Sequence, residues 1–157
     1  MNIYFTLKLI HLLGAAVLFG TGLGIAFFLF MAHRTRAPAA IAQTVRTVVV
    51  ADALFTASAV VIQPLSGGAL AWYAGYSLFE PWLVLSLVLY LLIGACWLPV
   101  VWIQIRLQKL AAAAATAGTE LPPQFDRLFR IWFWLGWPAF GSVIAIFALM
   151  IWKPILW

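Results

Sequence analysis

The sequence predicts an all-α polytopic membrane protein, a bundle of four transmembrane helices, and three observations predict it. Hydrophobic residues make up 66% of the 157 positions and charged residues only 8%, too few to cover a water-facing surface. The mean hydropathy is +1.09. From Leu12 to Met31 twenty consecutive positions carry no charge, which at about 1.5 Å per residue matches a hydrocarbon core of roughly 30 Å. One integral membrane domain, residues 1–157, is expected, with spans over about 9–32, 41–63, 82–106 and 131–152.

The first span ends in a basic cluster, His33, Arg34 and Arg36. Its apolar run is about twice the length of a signal h-region, so it is read as a retained helix. Lys8 and His11 lie one turn apart and share a helix face with Ala15, Gly22 and Ala26, while Gly20 and Gly24 form a Gly-x-x-x-Gly pair. Small faces of this kind let backbones approach, so Gly20, Gly22 and Gly24, with Gly94 and Gly141 later in the chain, are expected at helix contacts.

The second span, from Ala39 to Gln63, is apolar except for Arg46 near its start and Asp52 further in, and Pro64 is expected to end it. An ionised carboxylate at that depth costs a few kcal/mol unless paired or hydrated. Thr56, Ala59 and Gln63 follow Asp52 at i+4, i+7 and i+11, making a polar and small stripe that should face the bundle interior. Asp52, Thr56, Gln63 and, on the third helix, Gln104 are therefore the expected buried polar residues.

The connection from Leu65 to Glu80 has glycines and aromatics but no Lys or Arg, which suits an interfacial loop. Pro81 opens the third span at a favoured first-turn position. The alanines from Ala111 to Ala115 extend the helix beyond the span, and Gly118 is its stop. Pro122 and Pro123 restart the chain, Asp126, Arg127 and Arg130 mark an interface, and Pro138 kinks the fourth span. The nine tryptophans read as interfacial belt and packing residues.

Seven of the nine basic residues lie at the ends joined by the first and third loops; only Lys8 and Lys153 lie opposite. The positive-inside rule puts those loops in the cytoplasm and both termini, in a bacterial inner membrane, in the periplasm. The net charge of +5 is thereby accounted for by orientation, so nucleic acid is not an expected partner. Cys96 is the only cysteine, leaving neither a disulfide framework nor a cysteine metal site. No P-loop, dinucleotide fingerprint, serine triad or zinc spacing is present, which argues against the chemistry of soluble enzymes and leaves enzymatic activity open, with a non-enzymatic role the favoured reading.

Three stretches, LKLIHLLGAAVLFGTGLGIAFF, GACWLPVVWIQIRLQKLA and RIWFWLGWPAFGSVIAIFALMIWKP, resemble a bacterial integral membrane protein family catalogued as domain of unknown function 2269. The resemblance covers essentially the whole chain and implies a topology, without an activity. Lys8-x-x-His11, the glycines after it and His33 also look like the first helix of bacterial membrane protoporphyrinogen oxidases and copper-resistance-type membrane domains. Their intramembrane histidines are associated with haem or metal. That second resemblance implies haem b with His11 as an iron ligand and Lys8 beside it, and Tyr90 and Trp97 of the third helix are the expected walls of such a site. The Leu-Pro-Arg of the oxidases is absent here, since Gly24 to Phe30 holds neither proline nor arginine.

His11 and His33 are 22 residues apart on one helix, or about 33 Å, and cannot clamp one haem. The expected function is a small inner-membrane subunit or scaffold, with lipid, further copies of itself or other membrane chains as partners. Its rivals are a haem or tetrapyrrole-linked redox protein using His11 and an oligomeric transporter of ions or small solutes.

Overall fold

A computed structural model describes residues 3–155. It holds four long helices: α1 Ile3–Thr35, α2 Pro38–Tyr73, α3 Pro81–Ala117 and α4 Pro123–Trp152. Each is long and apolar enough to cross a membrane. Pro38, Pro81 and Pro123 each sit in a first turn, where the missing N–H is no loss. Gly118 ends α3 in the left-handed conformation, φ 63°, as its position in the sequence predicts.

The α1–α2 turn and the α3–α4 connection lie at one end of the bundle, called here the basic end; the other end carries the α2–α3 loop. Helices pack against their sequence neighbours, with α2 between α1 and α3 and α4 against α3. The α1–α4 side is closed mainly by rings: Phe19 stacks on Phe140 at 5.1 Å, and Phe30 lies 6.0 Å from Phe133.

The apolar core gathers toward the basic end, where Leu29, Ile41, Val45, Leu107 and Phe125 are fully buried. At about 1.5 Å per residue the 37 residues of α3 measure roughly 55 Å, more than a bilayer needs. Leu107, Ala111 and Phe125 form the part of the core nearest the basic end. A polar clamp covers it. The Arg36 guanidinium donates to both oxygens of Asp126, Nη2 to Oδ2 at 3.0 Å, and His33 stacks on Phe129 with its Nε2 3.2 Å from Asp126 Oδ1.

Three expectations need correction. Pro64 does not end the second helix, which runs on to Tyr73, so the connection shrinks to residues 74–80. Proline removes the hydrogen bond to the carbonyl four residues back, that of Val60, and the Tyr90 hydroxyl from α3 donates to that carbonyl instead. The glycines are the second correction: a Cβ added at Gly20, Gly22, Gly24, Gly94 or Gly141 would meet nothing within 4 Å, so none is pressed against a neighbouring helix of this chain. Close approach occurs at Gly14, against Gln63, and at Gly67, against His11. Third, the buried face of α1 runs through Gly14, Ile25, Leu29 and Ala32, with Gly22 and Ala26 left outside it.

Candidate functional site

Along α2 one stripe faces the bundle throughout: Ile41, Val45 and Val48, then Asp52, Thr56, Ala59, Gln63 and Ser66, all buried. The stripe changes from apolar to polar halfway along the helix. The change coincides with a five-residue π-helical turn, Asp52–Thr56, in which the N–H of Ala57 reaches back to the carbonyl of Asp52. Such turns insert one extra residue into the helical ladder and shift the residues beyond it round the axis. No sequence signal announced it.

Asp52 takes both its hydrogen bonds from one donor: the Trp97 indole Nε1 of α3 lies 3.1 and 3.2 Å from the two carboxylate oxygens. Arg46 is exposed on the same helix and does not reach it. One turn beyond Asp52, the buried Thr56 Oγ1 has no hydrogen-bond partner among the described residues, and neither has Gln63 Oε1. On α3 the fully buried Gln104 Oε1 shares this state, two turns from Trp97. A buried acceptor without a donor costs about 1–3 kcal/mol, so these oxygens mark where a water or a ligand donor would be held most strongly.

At the end away from the basic loops the stripe meets His11. The Ser66 hydroxyl donates to the Ile62 carbonyl at 2.7 Å, so its oxygen accepts from His11 Nδ1 at 2.9 Å. With that donor assignment the imidazole carries its proton on Nδ1, and Nε2 is the ring's acceptor nitrogen. The ring lies so close to α2 that a Cβ on Gly67 would sit 3.0 Å from His11 Cε1. Ser66 continues the Asp52–Gln63 stripe at i+3, a link visible in the sequence but hidden by reading Pro64 as a terminus.

The four residues expected around a haem are not brought together. Lys8 is exposed, its Nζ 5.9 Å from the ring of Tyr4. Tyr90 caps Val60, and Trp97 holds Asp52, about 21 Å along α2 from Ser66. Of the four, the Tyr90 oxygen that could also ligate iron is engaged with Val60, so within one chain these residues do not converge on a common site. Among the described residues no three His, Cys, Asp or Glu side chains group as metal ligands.

A family model described as a predicted integral membrane protein matches residues 5–154, nearly the whole chain. The chain belongs to the DUF2269 family. No curated protein and no solved structure matches it. For this DUF2269 protein, membership carries the integral membrane character and leaves the role to be argued from the bundle.

Proposed function

We propose that this DUF2269 protein is a small subunit or scaffold of the bacterial inner membrane, with its basic end in the cytoplasm and both termini in the periplasm. The observation that carries this reading is that three of its intramembrane polar groups are paired from helix to helix. His11 is joined to Ser66, Asp52 to Trp97 and Tyr90 to Val60, so the polar residues lock one helix to the next. The outside is apolar: Phe27, Phe28, Leu54, Leu91 and Leu98 are among the exposed side chains, available to lipid or to another membrane chain. Bundle rigidity inside and an apolar exterior suit a body that other subunits, or further copies, pack against.

A haem held by His11 is the second reading, and one observation favours it. Donation of Nδ1–H to Ser66 is how a ligating histidine is oriented, with Nε2 left for the metal. The remaining ligand and walls would come from another chain.

The test is extraction of two differently tagged copies, expressed together at low level, directly into polymer-bounded nanodiscs. Co-capture of the second tag, or of one stoichiometric companion chain, is expected, with no Soret absorption. Particles holding a single copy and no companion, with a Soret band abolished in His11→Ala, would replace the scaffold reading by the haem one. A cytoplasm-only reporter fused to the C-terminus should stay silent, and a strong signal would invert the orientation.

A further inference from the structure

We propose that the face of α4 at the basic end is a binding site for the phosphate headgroup of an anionic phospholipid. Arg127, Arg130, Ile131, Trp134 and Leu135 line a shallow, open groove of about 540 Å³ there. Their spacing, i, i+3, i+4, i+7 and i+8, puts them on one side of the helix. Phe125, Phe129 and Trp132 occupy the opposite side and are buried in the core, so Arg127, Arg130, Ile131 and Trp134 face away from the bundle while Leu135 packs against the core at the groove's edge.

Charge selects the ligand class. The groove contains two guanidinium groups and no acidic side chain. Asp126, the carboxylate nearest in sequence, lies next to Arg127 but is taken by Arg36 and His33. Arg127 and Arg130 form no ion pair among the described residues. Two planar forks one helical turn apart match the oxygens of a phosphodiester, which guanidinium binds in bidentate fashion.

Depth selects the source of that phosphate. Arg127 and Arg130 immediately precede the span at 131–152, at headgroup level. Trp134 lies about 6 Å deeper than Arg130, with 68% of its surface exposed, where an indole suits the glycerol and carbonyl layer. Ile131, 44% exposed, and Leu135 continue the groove as a wall for the first acyl carbons. A lipid with a net negative headgroup meets all three layers at once, whereas free phosphate meets only the first. The proposal does not rest on the scaffold reading.

The test uses the full chain in detergent micelles, with native mass spectrometry counting retained phosphatidylglycerol against phosphatidylcholine of the same acyl chains. The parent should retain phosphatidylglycerol preferentially, roughly thirty-fold for two arginines at about 1 kcal/mol each. Arg127→Gln/Arg130→Gln should lose that preference, while Arg34→Gln/Arg46→Gln, which removes equal charge from the same end, should keep it. Equal loss in both double variants would reduce the effect to bulk charge and overturn the site. Displacement of the lipid by inorganic phosphate at equal concentration would overturn the lipid assignment. Were the Gln variant unfolded by circular dichroism, Arg127→Lys/Arg130→Lys decides: weakened preference supports the fork geometry, and full retention overturns it.

Discussion

Tyr90→Phe removes one hydroxyl, and the structure says what that hydroxyl replaces. In an unbroken helix the Val60 carbonyl would accept from the N–H of residue 64, but Pro64 has none, and Tyr90 reaches across from α3 to supply the donor. Interhelical hydrogen bonds in membranes average about 0.6 kcal/mol and reach about 1.7, and a buried carbonyl left unpaired costs about 1–3 kcal/mol. Tyr90→Phe should therefore destabilise the bundle by about 1.5 kcal/mol, roughly ten-fold in the folded-to-unfolded ratio. In a Pro64→Ala background the new N–H satisfies Val60 within α2, and the same change should cost less than about 0.5 kcal/mol, a coupling near 1 kcal/mol. The four proteins of the cycle can be unfolded with dodecyl sulfate from mild micelles and followed by circular dichroism and tryptophan fluorescence. Equal losses in both backgrounds would refute the idea that Tyr90 substitutes for the missing donor.

Three further outcomes are expected. Asp52→Leu strands the Trp97 N–H and should destabilise by about 1–3 kcal/mol in the same assay, whereas Asp52→Asn keeps an acceptor for it and should lose less; equal losses would deny the pair its role. Gly67→Ala places a methyl 3.0 Å from His11 and should be clearly destabilising, Gly14→Ala at 3.4 Å from Gln63 mildly so, and Gly20→Ala within about 0.5 kcal/mol of the parent. Hydrogen bonding from Arg36, with a smaller contribution from His33, holds the Asp126 carboxyl below its usual 3.8. A depressed carboxyl pKa stabilises the folded state above the unfolded value and loses that contribution as pH falls through the folded one. The thermal midpoint should accordingly decline below about pH 4 in the parent and less in Asp126→Asn; parallel acid profiles would exclude the clamp.

The sequence by itself determined the class of solvent and the number of crossings. Apolar runs of twenty or more residues have one solution in a bilayer, because every backbone group must be satisfied within its own helix. It also determined that Asp52, Thr56, Gln63 and Gln104 turn inward, since facing lipid would be costly and α2 carries its polar residues on a single stripe. Helix starts at prolines and the stop at Gly118 were legible for a similarly local reason, the fixed or permitted φ of those residues.

What only the tertiary structure decided are the pairings between helices. Nothing local distinguishes a proline that ends a helix from one whose orphaned carbonyl finds a hydroxyl thirty residues away, so Pro64 and Tyr90 are understood only together. Gly-x-x-x-Gly marks a surface that can be approached, but which helix approaches it is set by the rotation of every span. Here Gly14 and Gly67 are the close contacts, and Gly20 and Gly24 are open. His11 is the same case at the site itself: its position in the chain suggested a ligand, while its partner Ser66 lies on the neighbouring helix, beyond the proline that seemed to close it.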